Sequence, residues 1–332
     1  MNIHRIQTFI IITGIIILLV LVAILLLPHQ KSRPVVYIVY DSKKGDLSYT
    51  DSAYQGIFAA QEAMSFVKRE YTSFNDSLLS GKLTGDEGLE KPGLVITVGY
   101  DYTEDTKQFA DKHPEIHVLG IDQSIKGPDN MKAYEITSYG ESYLAGVLAA
   151  SATKTRRVGI ILGTQSKLLD GFRLGYIEGV KVVDPSVTVY QEYVRDNSSN
   201  GFFDPVRAAE IARGMYLNGT DIIYTVAGYS GVGAINEAKL GQGRYIIGVD
   251  SDQTHLGPAV VIASAIKRVD RVVYAGISDY LNGTFTGGKQ VAGLREGVTA
   301  LSFNPSFSFY NTTINAYQEK AGEAEAKYLL DR

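Results

Sequence analysis

Val35-Val36-Tyr37-Ile38-Val39-Tyr40, running into the polar turn Asp41-Ser42-Lys43-Lys44-Gly45-Asp46, decides how this chain is read. Six apolar residues in a row, mostly β-branched or aromatic, suit a strand covered on both faces rather than one with a wet side. A helix is expected to follow from about Asp51. Tyr54, Ile57, Phe58, Met64 and Val67 recur near the helical period, and Asp51 or Ser52 is placed to cap it. Strand, turn and helix together make the repeating element of a parallel α/β sheet.

Working outward, the pattern recurs. Leu94-Val95-Ile96-Thr97-Val98 leads to a helix near 104–112. Ile116-His117-Val118-Leu119-Gly120-Ile121 is followed by a short strand at Ala133-Tyr134-Glu135 and a helix near 141–152. Thr153-Lys154-Thr155-Arg156 then reads as a linker. A second series follows, with strands at Val158-Gly159-Ile160-Ile161-Leu162, 187–194, Ile222-Ile223-Tyr224-Thr225-Val226, Tyr245-Ile246-Ile247-Gly248-Val249 and Val260-Val261-Ile262. Helices are expected at 171–183, 205–217, 231–240 and 268–281. From Asn282 the chain is Gly-rich, then aromatic, then helical. Two such series predict two doubly wound parallel-sheet lobes joined by a hinge. Residues 34–154 with about 266–305 form the first lobe, and residues 155–265 with about 306–332 the second. A length of 332 residues suits two cores better than one.

Ahead of the lobes, Phe9 to Leu27 is an unbroken apolar run of 19 residues, flanked by a tail at 1–8 and a linker at 28–33. At a rise of ~1.5 Å per residue it spans about 28 Å, the thickness of a bilayer core. It exceeds a signal-peptide core, and Leu27-Pro28-His29 offers no small-x-small cleavage site, so it is expected to stay as a single-pass anchor. Arg5 on one side and Lys31 and Arg33 on the other give no orientation bias. Asn-x-Ser/Thr triplets at Asn75, Asn197, Asn218, Asn282 and Asn311 lean toward an extracytoplasmic body.

Net charge is −4, so composition gives no support for nucleic-acid binding. With no cysteine, disulfides, thiolate metal sites, a cysteine nucleophile and a cysteine-linked lipid are excluded. The five histidines show no ligand spacing, and no metal or cofactor is expected.

In parallel α/β sheets ligands sit at the carboxyl ends of strands. There the sequence places Asp41, Asp122 and Asp250, with several aromatics nearby. Carboxylates accept paired hydroxyls and rings offer flat faces, chemistry that suits a sugar joined to a base. Helix capping is the alternative role for the three aspartates, core packing for the tyrosines, and solvation for Lys267.

Several stretches carry a family resemblance. Gly45-Asp46-Leu47-Ser48-Tyr49-Thr50-Asp51-Ser52-Ala53-Tyr54-Gln55-Gly56 is similar to a D-D-K-S-F-N-Q-S-A-W-E-G pattern. In register behind it stand Ser142-Tyr143-Leu144-Ala145-Gly146-Val147-Leu148-Ala149-Ala150, Ala227-Gly228-Tyr229-Ser230-Gly231-Val232-Gly233, Ile247-Gly248-Val249-Asp250-Ser251-Asp252-Gln253 and Ser264-Ala265-Ile266-Lys267-Arg268-Val269-Asp270. Together they resemble the basic membrane protein (BMP) family, which includes purine nucleoside receptors serving ABC importers.

The resemblance implies a type I periplasmic-binding fold, no catalysis, a monomer, a nucleoside ligand and an ABC permease as partner. It also implies roles for single residues. Asp41 would contact the base, Tyr49 would stack on it in place of a phenylalanine, and Asp122 would match the aspartate ending the third strand. Tyr224 is the choice for the second stacking aromatic, with Phe202 as its rival. Gly228 would let backbone approach the sugar, and Asp250 and Lys267 would hold ribose hydroxyls. The chain departs from the pattern in a first loop one residue shorter, in Thr50 where asparagine stands, and in lacking the lipid-bearing cysteine.

Two other functions remain at this point. Gly231-Val232-Gly233 followed by Asp250 faintly resembles a dinucleotide fingerprint, but Asn236 replaces the third glycine. A ligand-sensing ectodomain acting on a separate membrane partner would have the same two lobes.

Overall fold

A computed structural model describes residues 13, 14, 17, 33–41, 44–72, 90–196 and 198–332. The expected membrane run at 9–27 lies outside these, apart from three positions. Among the described residues no helix is long and apolar enough to cross a membrane. Pro34–Arg332 forms a compact unit of its own.

In chain order this unit runs β1 Val35–Tyr40, α1 Tyr49–Ala63, β2 Val67–Tyr71, β3 Leu94–Val98, α2 Thr103–Lys112, β4 His117–Ile121, β5 Met131–Ile136, α3 Tyr139–Ala152, β6 Arg157–Leu162, α4 Lys167–Val183 and β7 Thr188–Tyr193. It continues through α5 Pro205–Leu217, β8 Ile222–Val226, α6 Gly231–Ala238, β9 Tyr245–Asp250, β10 Val261–Lys267, α7 Val269–Leu281, β11 Gly288–Ala292, β12 Thr299–Phe303, α8 Asn311–Asn315 and α9 Gln318–Asp331.

The strands form two six-stranded sheets, β11-β5-β4-β3-β1-β2 and β12-β10-β9-β8-β6-β7. All pairings are parallel except that of β12 with β10. Every residue of β1, β3 and β8 is buried, as continuous apolar runs require when helices cover both faces. Each buried Val, Leu or Ile side chain contributes roughly 1.5–3 kcal/mol over its exposed state, and the cores on either side of each sheet are built from them.

Tertiary contacts shift the expected boundaries. Helix α1 ends at Ala63, and Val67, expected on it, opens β2, which pairs in parallel with β1. Residues 288–292 and 299–303 escape sequence reading because short, half-exposed edge strands carry little hydrophobic pattern.

The division between lobes moves as well. Helix α3 was expected in the first lobe, but Tyr143, Leu144 and Leu148 pack with Val158, Ile160 and Tyr176 in the core of the second. Gly146 and Gly179 allow α3 and α4 to meet backbone to backbone. A Cβ on Gly146 would lie 2.1 Å from the Tyr176 carbonyl oxygen, and one on Gly179 1.9 Å from that of Tyr143. Strand β12, also expected in the first lobe, pairs with β10 of the second. The chain therefore crosses between lobes three times, before α3, between β10 and α7, and between β11 and β12.

Candidate functional site

The carboxyl ends of β1, β3 and β4 in the first lobe face those of β8, β9 and β10 in the second across one cavity of about 500 Å³. Seven residues singled out from sequence line it: Asp41, Tyr49, Asp122, Phe202, Gly228, Asp250 and Lys267.

Strand ends fix the acids. Asp122 and Asp250 both adopt the left-handed conformation, with φ of 61° each. Aspartate tolerates that region better than most residues, and here it turns the side chain off the strand line. The two stand at matching places in the lobes, each closing a Gly-x-Asp run, Gly120-Ile121-Asp122 and Gly248-Val249-Asp250. Among the described helices, none is capped by the side chain of one of these three aspartates. The cap on α1 is Asp46, whose carboxylate accepts from the backbone N–H of Ser48, Thr50 and Asp51 at 2.8–3.0 Å. The expected caps do other work, since Asp51 accepts from Gly45 and Leu47 N–H, and Ser52 Oγ accepts from Asp270 N–H. Asp41 sits at the end of β1, its N–H donating to the Val98 carbonyl, with its side chain over Gly99.

Lys267, at the end of β10, is buried and not solvated. Its Nζ lies 2.5 Å from Asp122 Oδ2 and 5.5 Å from the ring centres of both Tyr49 and Phe172. The other Asp122 oxygen, Oδ1, and the Tyr49 hydroxyl are buried without a hydrogen-bond partner among the described residues. The Tyr49 hydroxyl stands beside Asp122 but outside bonding geometry. Burial, with the charges of Asp122, Asp41 and Asp250, holds this phenol well above its ordinary range. Orphaned polar atoms facing a cavity are what a donor-rich ligand would satisfy.

Asp250 Oδ2 accepts a 2.7 Å bond from Ser48 Oγ of the opposite lobe. Burial pushes the Asp250 carboxyl up to about 6, against the lowering effects of Lys267 and of the Ser48 bond.

The second aromatic corrects the sequence reading. Tyr224 lies in mid-strand on β8, with 0% of its surface exposed. Its hydroxyl is 3.1 Å from Ser142 Oγ, and its ring packs 5.3 Å from Tyr176 inside the core. Two residues short of the strand end, it is covered by α3 and α4 and does not line the cavity. Phe202, its rival, does. Phe202 closes the turn Ser199–Phe202, and its ring lies so close to Gly163 that a Cβ there would sit 2.5 Å away. Ser230 Oγ accepts from Asp204 N–H and donates to the Gly201 carbonyl, tying this turn to the start of α6. Gly228, with φ of 53°, follows β8 beneath the same ring.

Sequence reasoning missed Asp46 and Phe172, which also line the cavity. Tyr100 and Asp101, at the end of β3, were reached by the strand-end rule but given no ligand role, and they line it too. Phe172 is one turn into α4, where only packing shows that it faces the cleft.

The sequence matches a family profile described as ABC transporter substrate-binding protein PnrA-like over residues 33–327. Basic membrane protein A1 of Borrelia garinii subsp. bavariensis is 34% identical over 284 residues, covering 83% of this chain and 82% of that one. Basic membrane protein D of Borreliella burgdorferi is 30% identical over 295 residues, covering 87% and 84%. Among solved structures, ABC transporter system solute-binding proteins from Aeropyrum pernix K1 superpose with a TM-score of 0.73 at 27% identity, over 89% of this chain and 85% of that one. A transcriptional activator of the comK gene from Bacillus halodurans superposes with a TM-score of 0.69 at 20% identity, over 89% and 97%, a likeness of fold alone.

Proposed function

The chain belongs to the Bmp family of PnrA-like ABC transporter substrate-binding proteins, and from that premise we propose that it captures a purine nucleoside in the interlobe cavity and delivers it to an ABC permease. The family is described by binding and not by a reaction. The observation that carries the ligand class is the pairing of aromatic rings from opposite lobes, Tyr49 and Phe202, with hydroxyl-binding charges in one cavity.

A flat base stacks between the two rings, each such contact being worth ~1–3 kcal/mol. Ribose hydroxyls donate to Asp250 and accept from Lys267, while Asp122 and Asp41 take donors from the base. Among the described lining residues, Asp41, Asp46, Asp101, Asp122 and Asp250 outnumber the one lysine, Lys267. Such a cavity favours a neutral, donor-rich nucleoside over its phosphorylated forms. Because the contacts come from both lobes, ligand favours the closed arrangement, which is what a permease would recognise.

We further read residues 9–27 as a membrane anchor holding a monomeric body outside the cytoplasm. Resistance of the full chain to carbonate extraction, with its body digested by protease added to intact cells, is the expected outcome. A chain released by carbonate would remove the anchor.

The ligand class is tested by a thermal-shift screen of residues 34–332 against nucleosides, nucleotides, free bases, flavins and sugars. Ligand at 100 times its Kd stabilises by about 2.7 kcal/mol, which raises the melting temperature. Purine nucleosides should give the largest rise. A rise with a sugar or flavin and none with nucleosides would overturn the assignment.

A further inference from the structure

Ser48 occupies the residue before α1, where a serine hydroxyl ordinarily caps the helix. It does not do so here, because Asp46 accepts the free N–H groups of the first turn. The Ser48 hydroxyl is fully buried and instead crosses to the other lobe, donating to Asp250 Oδ2 at 2.7 Å. Two more bonds run alongside it. Ser251 Oγ donates to the Leu47 carbonyl at 2.9 Å, and Gln253 Nε2 reaches the same oxygen at 3.3 Å. Leu47 has a φ of 53°, an outlying conformation for a bulky side chain. In that conformation its carbonyl accepts both donors from the second lobe.

We propose that Ser48 is the positioning residue for the Asp250 carboxylate, and that residues 47 and 48 with 251 and 253 form a latch that holds the lobes together through the protein's own bonds. Donation from Ser48 holds Oδ2, stabilises the ionised carboxylate and leaves the other oxygen to the cavity that Asp250 lines. The remaining charged groups facing Asp250 are Lys267 from β10, which favours its ionised form, and Asp46 and Asp122 from the first lobe, which oppose it. Tyr49 and Tyr224 are the neighbouring phenols. The ligand role of Asp250 rests on the nucleoside reading above, whereas the latch stands without it.

The test uses the full chain in its ligand-free state, with carbon-13 detection of Asp250 and with paired spin labels, one on each lobe, reporting the interlobe distance. Ser48→Ala should raise the Asp250 titration midpoint by about one unit, the loss of a charge-assisted hydrogen bond, and Ser48→Thr should restore it. Ser251→Ala, which removes only a bond to the Leu47 carbonyl, should broaden the interlobe distance while the Asp250 midpoint stays in place. Inosine binding then serves as the second readout, with the pH at which its affinity falls moving upward in Ser48→Ala by the same unit. An Asp250 midpoint unmoved in Ser48→Ala overturns the positioning role, and interlobe distances unchanged in both alanine variants overturn the latch. Neither readout on the free protein needs nucleoside, so failure of inosine to bind would refute the proposed ligand and leave these two outcomes to be judged separately.

Discussion

Replacing Lys267 by methionine removes one ammonium while keeping most of the side-chain volume, and the structure sets what should follow. Lys267 Nζ and Asp122 Oδ2 are 2.5 Å apart, with only 2% of either side chain exposed. Breaking such a pair from one side costs about 3–5 kcal/mol, because the surviving charge stays buried alone. Asp122 would face Asp41, Asp46, Asp101 and Asp250 around the same cavity with no cation among the described lining residues. Against a typical stability of about 5–15 kcal/mol, that is a large but measurable loss.

Urea unfolding of residues 34–332 at pH 8 measures it. Lys267→Met with Asp122→Asn should recover most of the stability, because both charges go together. It should not recover nucleoside affinity, which would remain lowered by one to two decades for want of a charged hydrogen bond worth roughly 1.5–3 kcal/mol. If Lys267→Met unfolds at the parent's urea concentration at pH 8, the pair does not act as a buried ion pair and the electrostatic account of the cavity fails.

Three further outcomes are expected. The Asp250 carboxyl sits at about 6 instead of 3.8, and its ionised form receives the ligand hydroxyls. Nucleoside affinity should therefore be full above pH 7 and fall about tenfold per unit below 6. The free protein should respond with the opposite sign, since the fold binds that proton more tightly than the unfolded chain and gains stability from this group as pH falls from 7 toward 4. Calorimetric titration across pH, with Asp250→Asn flattening the profile, checks both. Tyr224→Phe should cost about 1 kcal/mol of stability through its bond with Ser142 and leave affinity within twofold, by parallel melting and binding measurements. A tenfold loss of affinity would return Tyr224 to the site. Phe202→Ala should lower affinity by one to two decades, the loss of ~1–3 kcal/mol of stacking, with a smaller effect on the melting temperature. Unchanged affinity would mean that another ring, Phe172, faces the base.

Much of the α/β architecture was legible from local pattern. Strands dominated by buried apolar residues at 94–98, 158–162 and 222–226 and the helix Pro205–Leu217 announce themselves because burial on both faces, or on one helical stripe, leaves a pattern in the residues. The strand-end rule, together with a family motif, led to Asp41, Asp122, Asp250 and Lys267 because the carboxyl edge of a parallel sheet is where loops from separate βα units converge.

Local pattern carries no information about which lobe an element joins. Helix α3 went to the second lobe because Gly146 and Gly179 let its backbone touch α4, and β12 went there because β10 presented an open edge. The same limit explains Tyr224, whose aromatic ring suits a base or a core equally well until neighbouring helices cover it. Residue chemistry and spacing are properties of the chain, so sequence alone determined most strands, most helices and the polar groups at the strand ends. Distances between parts of the chain far apart in number exist only once it has folded. Tertiary structure alone therefore decided that Lys267 meets Asp122, that Ser48 reaches Asp250, and that Phe202 lines the cavity while Tyr224 is buried in the core.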